Sequence, residues 1–216
     1  MDRDLAQFVP EKLRITGEHS GRGWWSDYGQ FAAGWLDDAE PEPEIPRMLA
    51  FTQRDSRWAS VRLGGSAYTM GGSGCAVTSV AILGTLAEPT STPLDLVTHL
   101  NSNGGFTNGL LYWAKAAEFY DGLSFVTYKK WTESPADMAY VRAVIERNPQ
   151  VIQVDFHPGG ALNTHFVVAE SMTADGQDID IIDPWTGERG TLLGAYGIQG
   201  WTLARAVYAL AEFKLT

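Results

Sequence analysis

The chain has 216 residues, of which 44% are hydrophobic and 12% aromatic, and this composition predicts one sizeable folded domain rather than two. It carries 26 acidic and 16 basic residues, and its formal net charge of -10 opposes nonspecific attraction to nucleic acid or anionic lipid. Nucleic acid is therefore not an expected partner, and no segment has the roughly 20 apolar residues of a membrane span.

Residues 1–47 form the first predicted region. They begin without the apolar run of a signal peptide, so we expect synthesis in the cytoplasm, with virion association or release on lysis as routes out. The segment 37–46 combines five acids with three prolines and is predicted to be a linker. The tryptophans before it, Trp24, Trp25 and Trp35, predict an arm that packs on the main domain, a virion or a second copy of the chain.

Residues 48–216 form the second predicted region, and its first half is expected to be mainly helical. An edge strand is predicted over 48–53, followed by a loop rich in Gly and Ser. Apolar residues at helical spacing predict a buried helix over 75–88. Capping signals predict three more helices: Thr92 before Pro93, Asn108 before 109–119, and Ser134 with Pro135 ahead of 138–148.

The second half is expected to form antiparallel strands. Its β-branched and aromatic runs, separated by turn residues, lie at 124–128, 150–156, 165–171 and 178–184. The closing run at 205–215 fits a helix or a strand, and a last strand is favoured because the run follows a Gly-rich segment. A turn at 173–177 would join the third and fourth of these runs as a hairpin. The expected fold class is α+β, a helical lobe followed by an antiparallel sheet lobe, with an active site between the lobes.

Cys75 is the only cysteine, so it cannot form a disulfide within the chain. It follows a Gly-rich loop and begins an apolar helix, where the helix dipole stabilises a thiolate. The alternative is a cysteine that packs as a small hydrophobic residue, which would more naturally lie within a helix. The position at the helix start therefore predicts a nucleophile.

Three further residues complete a hypothetical cysteine hydrolase site. His165 at a strand start is the candidate general base, and Asp183 at the end of the next strand is the candidate that orients the imidazole. Gln53 is the candidate oxyanion donor, with Arg54 and Asp55 as nearby competitors. A structural histidine at a strand edge and a turn-capping aspartate before proline are the alternatives for the first two.

A zinc site is a weaker alternative. Cys75, His157 and His165 are zinc-binding residue types, but their spacing matches no zinc motif. The chain also lacks a Gly-rich phosphate-binding motif. We therefore expect neither a metal nor a cofactor.

Two segments, FTQRDSRWASVRLG and YTMGGSGCAVTSVAILG, resemble the start of the C39-like peptidase family, a branch of the papain-like cysteine peptidases. The matching residues are Gln53, Arg54, Asp55, Trp58, Gly74, Cys75, Thr78 and Ser79. The segments GGFTNGLLYW, NTHFVVAES and IIDPWTGERGTLLGAYG extend the resemblance, which covers about residues 48–210. It implies a papain-like fold, a triad of Cys75, His165 and Asp183, and an oxyanion role for Gln53.

The resemblance also implies a substrate class. Free-standing relatives of this kind suggest a phage-borne or secreted enzyme that cuts peptide or amide bonds of bacterial cell walls, such as peptidoglycan stem peptides. Gly74 and Trp185 are then candidate substrate-binding residues. This chain has no membrane or nucleotide-binding part, so cleavage of Gly-Gly leader peptides is not implied. Two other functions stay open: acyl transfer to an amine, and a virion or cell-wall binding module without activity.

Overall fold

The computed structural model describes residues 47–131 and 133–216, which combine helices with antiparallel sheet as expected. The predicted arm and linker, residues 1–47, lie outside the described residues except for Arg47. Within the described part, none of the helices has the length and apolar character needed to cross a membrane.

The helices cluster before and between the strands. They are α1 Met70–Ser73, α2 Cys75–Gly84, α3 Pro93–Ser102, α4 Trp113–Ala117, α5 Met138–Ile145, α6 Leu192–Tyr196 and α7 Leu203–Ala206. The central helix α2 is buried from Val77 to its end at Gly84. At Gly84 a Cβ would lie 2.2 Å from the ring of Tyr120, so glycine is needed for this close packing.

The strands form one hairpin and one six-stranded sheet. They are β1 Phe106–Thr107, β2 Leu110–Leu111, β3 Leu123–Lys130, β4 Gln150–Asp155, β5 Thr164–Met172, β6 Ile179–Asp183, β7 Glu188–Thr191 and β8 Ala209–Leu215. The sheet order is β3-β8-β4-β5-β6-β7, and the pairings within it are antiparallel. The last strand therefore lies in the interior of the sheet, between β3 and β4.

The two faces of the sheet support two hydrophobic cores. Because strand side chains alternate between faces, Val151 packs in the core around α2 and α3, and its neighbour Ile152 packs in the core around α5, α6 and α7. The cleft-lining Gln153 and Phe166 lie on the face toward α2, whereas His165 alternates with Phe166 and lies on the face of α6, where Tyr196 packs near its ring.

The predicted edge strand at 48–53 is wrong. This segment forms no strand, because its hydrogen bonds go to separate partners. Leu49 N donates to Thr85 Oγ1 at 3.0 Å, and Gln53 N donates to the carbonyl oxygen of Pro184 at 2.7 Å. The segment thus links the end of α2 to the loop after β6.

The predicted helix start at Asn108 is also wrong. Asn108 and Gly109 have φ values of 50° and 80° and form the two-residue turn of the β1–β2 hairpin. Positive φ at both central residues is typical of a type I′ turn, for which Asn-Gly is the preferred sequence. The helix α4 begins only at Trp113.

The helix α5 begins later than predicted from Ser134 and Pro135. Its N-cap is Asp137, whose carboxylate accepts a hydrogen bond from Tyr140 N. Strands β3, β4, β5, β6 and β8 correspond to the five predicted strand runs, whereas α1, α6, α7, β1, β2 and β7 were not predicted.

Candidate active site

The start of α2 carries Cys75. Gly74 lies between α1 and α2 and donates its N–H to the carbonyl oxygen of Met70 at 2.8 Å. A Cβ on Gly74 would lie 2.4 Å from that oxygen, so a side chain there would push the two helices apart. Gly74 is buried and does not line the adjacent cleft, whereas Cys75 is half-buried and does line it.

His165 and Asp183 come together across two neighbouring strands. The predicted hairpin is confirmed, since β5 pairs with β6 in antiparallel register with Val168 opposite Ile182. The Nε2 of His165 lies 2.8 Å from Oδ1 of Asp183, and the histidine side chain is only 4% exposed. Because Nε2 is engaged by the carboxylate, Nδ1 is the ring nitrogen that can interact with Cys75.

Asp183 accepts hydrogen bonds from two further donors. Trp185 N donates to Oδ1 at 2.8 Å, and the phenol of Tyr196 in α6 donates to Oδ2. The rings of Phe156 and Tyr196 pack near the imidazole of His165, with centroids 4.9 and 5.6 Å away. Sequence reasoning missed both aromatic residues, and the only signal for Tyr196 was its place in the family-like segment GAYG.

The protonation states follow from these contacts. Burial lowers the pKa of His165, but hydrogen bonds and charge interactions with Asp183 and Cys75 outweigh it and raise that pKa to about 9. Burial raises the pKa of Asp183, but its bonds from His165, Tyr196 and Trp185 hold that pKa below the ordinary value. Burial and the neighbouring carboxylate raise the pKa of Tyr196, so its hydroxyl stays a donor. At neutral pH the arrangement is an imidazolium beside an ionised Asp183.

One side-chain bond ties the helix of Cys75 to the strand of His165. Ser79, one turn after Cys75 on α2, donates its hydroxyl to the carbonyl oxygen of Phe166 at 3.2 Å. Ser79 is fully buried, and Phe166 is the residue after His165. The bond therefore fixes the position of the thiol-bearing helix relative to the imidazole.

Gln53 lies against the loop that leads to Cys75. Its side chain is buried at 1% exposure, lines the cleft, and donates from Nε2 to the carbonyl oxygen of Gly71 at 3.2 Å. The nearby competitors do not line the cleft. Asp55 pairs with Arg57 at 2.7 Å, and the guanidinium of Arg54 lies 4.8 Å from the ring centroid of Trp185.

These residues surround an open cleft with a volume of about 840 Å³. Aromatic rings form much of its wall, including Trp113, which stacks on Tyr128 with centroids 5.7 Å apart. Trp185, a candidate substrate-binding residue, also lines it. The cleft is large enough for several residues of a peptide and gives access to Cys75 and His165 together.

The zinc alternative has no geometric support within residues 47–131 and 133–216. In that part of the chain, no group of three or more His, Cys, Asp or Glu side chains is arranged to hold a metal ion.

Comparison with known proteins identifies no family for this chain. No family model matches it, and no curated protein matches its sequence. Among solved structures, the bromelain protease of Ananas comosus in complex with the E64 inhibitor matches over 87% of this chain and 96% of its own. The identity is 12% and the TM-score is 0.43, a likeness too low to carry an argument about fold or activity.

Proposed function

We propose that this chain is a papain-like cysteine hydrolase that cleaves peptide or amide bonds, with Cys75 as nucleophile and His165 as acid and base. The observation that carries the proposal is the cleft. Cys75 lines the cleft at the start of the buried helix α2. His165 lines the same cleft, is bonded to Asp183, and is protonated at neutral pH.

The first half of the reaction uses an imidazolium and a thiolate. The thiolate of Cys75 attacks the carbonyl carbon and forms a C–S bond, and the carbonyl oxygen becomes an oxyanion. His165 then donates its proton to the nitrogen of the leaving amine, the C–N bond breaks, and an acyl thioester remains. Asp183 supports this step because its charge stabilises the imidazolium that supplies the proton.

The oxyanion has two candidate donors. The first amides of a helix have no partner within the helix, so the backbone N–H of Cys75 is free to bind the oxygen. Gln53 uses one proton of Nε2 for Gly71, and the amide nitrogen carries a second proton. Together the two donors form a proposed oxyanion hole of the kind that stabilises acyl-transfer intermediates.

The second half of the reaction regenerates the site. The neutral His165 takes a proton from water, the hydroxide oxygen attacks the thioester carbon, and the C–S bond breaks to release the acid. Cys75 leaves as a thiolate, and His165 is again an imidazolium.

A finer proposal rests on the resemblance to C39-like peptidases. In it, residues 48–216 are a phage-borne hydrolase domain that cuts peptidoglycan stem peptides, and residues 1–47 attach the domain to a virion or to a second copy of the chain. The resemblance in sequence supports the role of residues 48–216, and the three tryptophans of residues 1–47 support the attachment role.

The test compares the full chain with its Cys75→Ala variant on purified peptidoglycan and on casein. We expect new amine ends from at least one substrate and a loss of at least about 10³-fold in the variant, because the nucleophile is removed. Circular dichroism should show the same fold for both chains. Equal activity in the two chains would refute the cysteine mechanism, and an added amine that appears in the products would indicate acyl transfer.

A further inference from the structure

The charge of the cleft differs from the charge of the chain. The chain has ten more acidic than basic residues. Yet the described residues that line the cleft include no Asp and no Glu. They do include Lys130, and the guanidinium of Arg54 covers the ring of Trp185 at another part of the wall. A substrate in the cleft therefore meets the charge of Lys130 without meeting a carboxylate among the lining residues.

Two carboxylates close in sequence to cleft-lining residues, Asp155 and Asp183, are already engaged in hydrogen bonds. Asp183 accepts from His165 and Tyr196, as described above. Asp155, at the end of β4, is buried, and its Oδ1 accepts from His157 N at 3.2 Å and Asn163 N at 3.0 Å. These bonds engage Oδ1 in holding the β4–β5 loop, and Asp155 is not among the residues that line the cleft.

Two consecutive lysines of β3 lie on opposite faces of the sheet. Lys129 is on the face of α5, where its Nζ lies 3.4 Å from the ring centroid of Tyr140, whose hydroxyl donates to Glu212. Lys130 is on the cleft face, exposed, with Nζ 5.5 Å from the ring centroid of Tyr128. Because side chains alternate along a strand, the charge of Lys129 lies on the side of Glu212 and the charge of Lys130 lies on the side of the cleft.

The register of the sheet gives the separation between Lys130 and the strand that carries His165. Lys130 pairs with Ala209 of β8, Ala209 pairs with Gln153 of β4, and Gln153 pairs with Phe166, next to His165. Three strand spacings amount to about 14 Å. An extended peptide covers this distance in about four residues.

We propose that the cleft selects peptides that carry a carboxylate about three or four residues from the bond to be cleaved, with Lys130 as the residue that recognises it. The cleft floor between them is neutral and polar, since Tyr128 donates to Gln153 at 2.7 Å and Gln153 donates to Thr164 at 3.2 Å. The position of the bond to be cleaved rests on the proposed function, whereas the preference for an anionic peptide is a property of binding.

The test measures binding to the Cys75→Ala chain, so that turnover plays no part. The probes are capped heptapeptides of Ala and Leu with Glu, Gln or Lys at one position at a time, and the signal is tryptophan fluorescence, because Trp113 and Trp185 line the cleft. We expect the Glu peptides to bind about three- to fivefold more tightly than the Gln peptides at one position, and the Lys peptides more weakly. The preference should decrease in 0.5 M salt.

The matched controls are Lys130→Gln and Lys129→Gln, each made in the Cys75→Ala chain. Both remove one positive charge from adjacent residues, so a long-range charge effect would change both. We expect the preference for Glu to disappear in the first and persist in the second. Equal affinity for Glu and Gln peptides at every position, or a preference that survives Lys130→Gln, would overturn the proposal. Hydrolysis by the chain with Cys75 intact reports on the proposed function separately.

Discussion

The two sides of the candidate site are held in different ways. On the sheet side, Asp183 accepts hydrogen bonds from His165, Trp185 and Tyr196, so side chains fix both the position and the charge of the imidazole. On the helix side, Cys75 is positioned by the close backbone approach of Gly74 and by the bond of the uncharged Ser79 hydroxyl.

Because of this difference, the protonation of His165 and the position of the Cys75 thiol can be changed by separate substitutions. Substitutions on the sheet side change the charges around His165 and should therefore move the pH dependence of the reaction. Substitutions on the helix side move the thiol without changing those charges, so they should change the rate and leave the pH dependence as it was.

The largest effect is expected for Asp183→Asn, which removes the charge beside the imidazole. The rate constant kcat/KM should fall about 10²-fold. In the native chain we expect activity to be lost as pH rises through about 9, the pKa of His165. Without the carboxylate this loss should move down toward 6.5, the ordinary histidine pKa. The measurement is kcat/KM from pH 5 to 10.

Asp180→Asn is the matched control for that experiment. Asp180 lies on the same strand, and its side chain bonds Ser171 rather than His165. The pH above which the Asp180→Asn variant loses activity should stay near 9. An unchanged limit in Asp183→Asn would mean that the carboxylate does not set the protonation of His165.

A smaller effect is expected for Tyr196→Phe, which removes one donor from Asp183. We expect kcat/KM to fall about tenfold, the size expected for one hydrogen bond to a charged group. The bond from Tyr196 lowers the pKa of Asp183. Its removal should raise that pKa, so activity should be lost at a higher pH on the acid side. Tyr140→Phe, which removes a phenol that bonds Glu212 rather than Asp183, should leave the acid limit unchanged.

The smallest effect is expected for Ser79→Ala on the helix side. Loss of the bond to the Phe166 carbonyl should lower the free energy of unfolding by about 1 kcal/mol and kcat/KM by a few fold. Both pH limits should stay where they are. Urea denaturation and a pH profile test this, with Ser102→Ala as control because its hydroxyl bonds only within α3. A shifted pH limit in Ser79→Ala would remove the distinction between the two sides.

The sequence predicts best those parts of the site that depend on residues close together in the chain. The strand runs and the turn at 173–177 predict the β5–β6 hairpin, and that hairpin is what brings His165 to Asp183. The apolar spacing after the Gly-rich loop likewise predicts the helix that begins at Cys75. The catalytic roles of these residues stay predictions until activity is measured.

Features set by distant contacts were not predictable in this way. Tyr196 reaches Asp183 only because α6 packs against β6, which no local pattern indicates. The strand β7, with the sequence ERGT, lacks β-branched alternation and forms because β6 offers a free edge. The Asn108-Gly109 turn is a different case, because the dipeptide itself is a hairpin signal and was wrongly interpreted as a helix cap.

The most direct test of the central claim is the rate at which Cys75 reacts with iodoacetamide at pH 6. The chain has a single cysteine, so mass spectrometry of the modified protein reports this thiol alone. If His165 and Cys75 form an ion pair, the folded native chain should react at least about tenfold faster than the folded His165→Ala chain and the urea-unfolded chain. Equal rates in the native and His165→Ala chains would contradict the account.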